Sequence, residues 1–180
     1  MGTYSLLGIS GSLRAEATNR KLVREAARLF DPATYVEADL NMPLYDGDVE
    51  AAEGIPQAAL TLTDQILAAD AIVISTPEYN KGPSGALKNA LDWVSRTGKH
   101  PWSGKPVAVM SAAAGRAGGE RAQMVLRGFM LPFRPRILQG PEMHLAASSD
   151  QFDDAGQLTS ELYLKTLQEL MDGLKAEIGR

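Results

Sequence analysis

Along the chain, short uninterrupted apolar runs alternate with longer stretches in which apolar residues recur every three or four positions. Residues 4–10 hold Leu6, Leu7 and Ile9 and read as a first strand. From Asn19 the apolar positions are Leu22, Val23, Ala26, Ala27 and Phe30, one face of a helix that Pro32 ends. Residues 34–38 make a weaker second strand. Residues 41–54 carry Pro43, Gly47, Gly54 and several acids, and read as a loop. The spacing predicts a helix over 58–69. Residues 71–75 (Ala-Ile-Val-Ile-Ser) form a continuous, centrally β-branched run suited to a strand buried on both faces. A helix over 86–94, a second buried strand over 107–111, a helix over 118–131, a short strand over 136–138 and a long closing helix over 158–178 complete the pattern.

About five strands, each followed by a helix, indicate an α/β domain around a parallel sheet. No internal repeat or linker interrupts residues 1–180, which read as one domain. In such sheets ligands bind outside the carboxyl ends of the strands, where the strand order reverses. The loops after the first, third and fourth strands are therefore the candidate site.

The first loop, residues 11–19, joins a strand to a helix. The start of a helix presents unpaired N–H groups and the positive end of its dipole, which suits a phosphate. Ser12, Thr18 and Asn19 add side-chain donors, and Arg14 adds a charge-assisted contact. The same residues also read as a plain turn, with Thr18 or Asn19 as N-cap and Arg14 solvated. Neither the Walker A pattern nor the dinucleotide glycine pattern occurs. The second loop, residues 76–85, holds Pro77, Glu78, Tyr79, Asn80, Gly82, Pro83 and Gly85. Its prolines and glycines fix a backbone whose N–H groups can face a ligand. Tyr79 reads as the edge of a site for a planar ring or as a surface aromatic; Glu78 as a general base, a cap or a solvated acid. The third loop, residues 111–120, is rich in Ala and Gly, so a flat group can approach its backbone closely, although it also reads as a connector.

Composition narrows the chemistry. The 180 residues include no cysteine and two histidines, His100 and His144. Thiolate nucleophiles, disulfides, Cys-ligated zinc and iron–sulfur clusters are excluded, so redox chemistry would need an organic cofactor or a metal without Cys ligands. A histidine-based metal site is disfavoured while a carboxylate site stays open, and no residue is assigned to a metal. The net charge of −4 argues against general nucleic-acid binding. The N-terminal apolar stretch is too short for a signal peptide, and no apolar run reaches membrane-spanning length, so a cytoplasmic protein is expected.

The residues that carry the chemistry also carry a resemblance. Gly11-Ser12-x-Arg14 with Asn19, Pro77-Glu78-Tyr79-Asn80, and Leu87-Lys88-Asn89-Ala90-Leu91-Asp92-Trp93 closely resemble the NADPH-dependent FMN reductase family, which includes soluble quinone and chromate reductases. Ser111, Gly118-Gly119 and Arg121-Ala122-Gln123 are similar to its third flavin loop, and residues 152–158 to its C-terminal segment. The resemblance implies a flavodoxin-like three-layer α/β/α fold with a five-stranded parallel sheet in the order 2-1-3-4-5. It implies bound FMN, with NADPH or NADH as electron donor and a quinone, free flavin, chromate or azo compound as acceptor, in ping-pong alternation. By position, Ser12, Arg14, Thr18 and Asn19 would hold the phosphate. Pro77, Glu78, Tyr79 and Asn80 would border the ring, and Ser111, Gly118 and Gly119 would close its other side. No side chain stands out as catalytic, because the flavin carries the chemistry. A homodimer or homotetramer is implied, with Trp93 either at the interface or in the core. Two departures stand out: Ala17 replaces a common serine, and Ser84-Gly85 replaces a common Pro-Gly. The rival readings are a flavodoxin-type electron carrier without its own NAD(P)H site, a phosphate-binding protein or phosphatase, and an enzyme that only reduces free FMN.

Overall fold

A computed structural model describes residues 2–180; Met1, part of the N-terminal segment read above, lies outside the described residues. The strands are β1 (Ser5–Ser10), β2 (Thr34–Glu37), β3 (Ala71–Thr76), β4 (Pro106–Ala112), β5 (Arg136–Ile137) and β6 (Met143–Leu145). The α-helices are α1 (Thr18–Phe30), α2 (Gly47–Glu53), α3 (Gln57–Ala68), α4 (Gly85–Arg96), α5 (Glu120–Met130) and α6 (Glu161–Ala176).

All strand pairs are parallel, in the order β2-β1-β3-β4-β5. Alternation along each strand sorts the apolar residues into two cores. Leu6, Val73, Ala108 and Met110 face α1 and α6, where Leu22, Val23, Phe30, Leu167, Leu170 and Leu174 pack. Leu7, Ile9, Ile72, Ile74, Val107 and Val109 face the other way, toward Leu62 and Ile66 of α3, Leu87 and Leu91 of α4, and Leu126 of α5. Filling both faces is what makes β3 and β4 read as unbroken apolar runs. The fold is the expected flavodoxin-like three-layer sandwich.

Three expectations are corrected. The fifth strand position is filled by two pieces: β5 pairs with the start of β4 at Pro106 and Val107, and β6 with its end from Met110 to Ala112. Residues 138–142, with Gly140 and Pro141, interrupt the ladder between them. The segment 41–54 contains α2, whose N-cap Asp46 accepts a hydrogen bond from the Asp48 N–H (2.8 Å). None of its residues is buried, so no apolar period announced it. The closing helix starts only at Glu161. Leu158 instead forms an antiparallel bridge with Phe152, and its N–H donates to the buried Glu25 carboxylate (3.2 Å).

Candidate functional site

The chain leaves β1 toward β2 on one side and crosses back to β3 on the other, so the order reverses between β1 and β3. At the carboxyl ends of β1, β3 and β4 lies a cleft of about 490 Å³. Its walls are Ser12, Arg14, Glu16 to Asn19 and Lys21 from the first loop and α1, Pro77 to Tyr79 from the second loop, Ala112 to Ala114 from the third, and Ser148 and Ser149 after β6. A cleft of this size suits a cofactor-sized ligand.

The polar end is built by the first loop. Ala17 is the N-cap of α1, so no side chain caps that helix and its first N–H groups have no acceptor from an N-cap side chain. Neither Thr18 nor Asn19 is the cap. Arg14 is exposed and makes no ion pair among the described residues. Lys21 makes a long contact with Glu16 (3.9 Å) and lies over the Phe152 ring (6.0 Å to its centroid). An uncapped helix start beside an unpaired guanidinium is an anion site in waiting.

Asn19 lines the cleft, but its carboxamide is engaged by the chain itself. Its amide donates to the Ala112 carbonyl (2.9 Å), and its oxygen accepts from the Ala112 N–H (3.0 Å) and the Ser75 hydroxyl (2.7 Å). Asn19 is 3 % exposed and ties α1 to the ends of β3 and β4.

The second loop is tied down on both sides. The Gly11 N–H donates to the Ser75 carbonyl (2.8 Å), and the Ser84 hydroxyl donates to the Gly11 carbonyl while accepting from the Leu87 N–H (3.2 Å). Ser84 is thus both the N-cap of α4 and a bolt onto the first loop, a role the sequence did not announce. Tyr79 and Gly82 exchange backbone hydrogen bonds (2.9 and 3.1 Å) around Asn80 and Lys81, at φ 51° and 69°. Left-handed backbone at both central residues is the tight hairpin turn that favours asparagine. Asn80 shapes this turn and does not line the cleft. Glu78 does line it, and its carboxylate accepts from the Ala122 N–H (3.2 Å) in the first turn of α5. Tyr79 is exposed at the rim.

Ser111, Gly118 and Gly119 lie behind the third-loop wall. The fully buried Ser111 hydroxyl donates to the Gly118 carbonyl (2.6 Å) and accepts from the Gln123 amide (2.9 Å). A Cβ on Gly118 would fall 2.5 Å from the His144 carbonyl carbon, and Gly118 and Gly119 sit at φ 59° and 91°. The wall facing the cleft is Ala112 to Ala114. Trp93 is fully buried, its indole N–H donating to the Pro43 carbonyl (2.7 Å), so its place is the core.

Sequence reasoning missed Ser148 and Ser149. The available signal was a pair of small polar residues at the sheet's carboxyl edge, concealed because β6 is three residues long.

The family profile described as NADPH-dependent FMN reductase matches residues 4–149. An NAD(P)H-dependent FMN reductase of Pseudomonas aeruginosa is 40% identical over 177 residues, covering 97% of this chain and 95% of that protein. A quinone reductase of Pseudomonas putida is 37% identical over 161 residues, covering 88% and 86%. Among solved structures, the flavoenzyme NAD(P)H:(acceptor) oxidoreductase of Paracoccus denitrificans superimposes with a TM-score of 0.87 at 30% identity, covering 98% of this chain and 97% of that one.

Proposed function

Since the chain belongs to the NADPH-dependent FMN reductase family, we propose that its cleft holds FMN and that the protein is an NAD(P)H-dependent oxidoreductase reducing small acceptors such as quinones. The observation that carries this reading is the pairing, in one cleft, of a polar end whose Arg14 has no ion pair among the described residues and a slot walled by small residues. The uncapped start of α1 and the unpaired Arg14 fit a phosphate, and Ala112 to Ala114 facing Pro77 and Tyr79 fit the edge and face of a flat ring.

Bound FMN would supply the hydride acceptance and electron delivery that none of this chain's side chains can perform. The chain positions and tunes it. Ser12, Arg14 and Thr18 bind the phosphate. Asn19 fixes α1 against β3 and β4, so that the phosphate end and the third loop keep one spacing. Pro77 and Tyr79 border the ring. Glu78, Asn80, Ser111, Gly118 and Gly119 hold the second and third loops in shape. The same reading puts the protein in the cytoplasm as a homodimer or homotetramer, for which Met124, Val125 and Leu131 offer exposed apolar surface. No helix among the described residues is long and apolar enough to cross a membrane.

The test is a visible spectrum of the purified protein, then NADPH added without air, then a soluble quinone. A flavin spectrum that bleaches and returns with the quinone is expected. A colourless protein that fails to take up FMN would end the proposal. Bleaching by a chemical reductant but not by NADPH or NADH would favour the carrier reading.

A further inference from the structure

The turn after β6 brings to the polar end of the cleft a side chain that the first loop lacks. Ala17 has no hydroxyl to offer there. Ser148, 130 residues from Thr18 in sequence, places its Oγ 3.0 Å from the Thr18 Oγ1. Ser148 is 4 % exposed and lines the same cleft as Arg14 and Thr18.

Two features fix it there. The Ala113 N–H donates to the Leu145 carbonyl (3.1 Å) and the Ser148 N–H to the Ala113 carbonyl (3.1 Å), lacing this segment to the third loop. Ala147 takes φ 44° and ψ 46°, a left-handed conformation disfavoured for a residue with a Cβ, and this kink delivers Ser148 to the cleft.

The proton inventory completes the case. Two hydroxyls carry two protons, and a single hydrogen bond between them uses one. Neither oxygen has another partner among the described residues. One donor is left over in the partly enclosed cleft that Arg14 and Lys21 also line, where an acceptor anion would satisfy it.

We infer that Ser148 is a phosphate ligand, acting with Thr18 as a hydroxyl pair that grips the phosphate monoester of the bound flavin. The inference rests on the cleft being the FMN site. Thr18 Oγ1 and Ser148 Oγ each keep lone pairs for the other's proton, so the pair can turn one O–H toward the phosphate without breaking its own bond.

The experiment titrates apoprotein with FMN and with riboflavin, which lacks only the phosphate, following flavin fluorescence. Ser148→Ala should weaken FMN about tenfold and leave riboflavin within about twofold. Thr18→Val combined with Ser148→Ala should cost less than the two single changes together, because either one disables the pair. Melting of the apoproteins in inorganic phosphate gives a separate readout: phosphate should raise the wild-type Tm more than that of Ser148→Ala. An unchanged FMN-to-riboflavin ratio in Ser148→Ala, with wild type still preferring FMN, overturns the role of Ser148 alone. A wild-type protein that binds both flavins equally, or neither, overturns the site reading itself.

Discussion

The two ends of the cleft use polar groups in opposite ways. At the end formed by the first loop, Arg14 has no counter-ion among the described residues, α1 has no side-chain cap, and the Thr18–Ser148 pair has a proton to spare. At the end formed by the second and third loops, polar groups are consumed internally. Glu78 meets the Ala122 N–H, Ser111 meets Gly118 and Gln123, and Asn80 turns a hairpin. The difference matches what each end must recognise. A phosphate is bound by donors that are free until it arrives. A flat ring is bound by shape, and a shape made from loops must be held rigid by bonds behind its surface. Asn19 belongs by location to the first end and by bonding to the second.

Asn19→Ala tests that assignment with the largest expected effect. It leaves the Ala112 N–H and carbonyl and the Ser75 hydroxyl without their partner in a buried site. At about 1–3 kcal/mol for each unsatisfied group, partly relieved by water, the protein should lose about 3 kcal/mol of stability. Denaturant melts would measure this. FMN and riboflavin should weaken by the same factor. A loss confined to FMN would move Asn19 among the phosphate ligands and blur the contrast between the two ends.

Arg14→Ala sharpens the contrast from the other side. Arg14 is exposed and unpaired, so the melt should stay within about 0.5 kcal/mol of wild type. Removing one charge-assisted contact to a phosphate costs about 1.5–3 kcal/mol, so FMN affinity should fall about 10- to 100-fold. Riboflavin affinity should not change, and the FMN deficit should shrink as salt is added to both proteins. Equal loss of both flavins would mean that Arg14 shapes the loop instead of meeting the ligand.

In the sequence, Asn19 and Arg14 are two polar residues of one strand–helix loop, and nothing local separates them. What separates them is the end of β4, 93 residues away, and Ser75, 56 residues away. Residue types that suit a site were therefore legible while their roles were not. The same holds for the fold. β3 and β4 were readable because both faces are buried and their sequences are uniformly apolar, and α1 because its apolar residues keep helical spacing. α2 buries nothing, and β6 is three residues long beyond a Gly-Pro break, so neither leaves a periodic trace. Losing β6 from view also concealed Ser148, since the sheet edge it follows was not visible. Glu78 posed the opposite problem: an acid in a ligand-facing loop invites a catalytic reading that the sequence alone leaves open.

Glu78→Gln decides that reading and carries the smallest expected effect. The glutamine oxygen can still accept from the Ala122 N–H, so the bond between the second loop and α5 survives in neutral form. What is lost is a negative charge at the positive end of a helix, about 0.3–1 kcal/mol, together with a long contact to the largely exposed Lys81 (3.8 Å), which contributes little. For a protein of this length that corresponds to a fall of about 1–4 °C in Tm. FMN and riboflavin should each bind within about threefold of wild type at an unchanged ratio, since Glu78 fixes backbone and does not touch the phosphate end. Turnover is the decisive measurement. A general acid or base contributes about 10²–10⁴-fold, and glutamine cannot take a proton. If Glu78 only anchors α5, the kcat for NADPH oxidation with a quinone stays within a few-fold of wild type. A hundredfold fall in kcat with intact flavin binding would show that the carboxylate moves a proton during turnover, and the ring end of the cleft would then be more than a rigid frame.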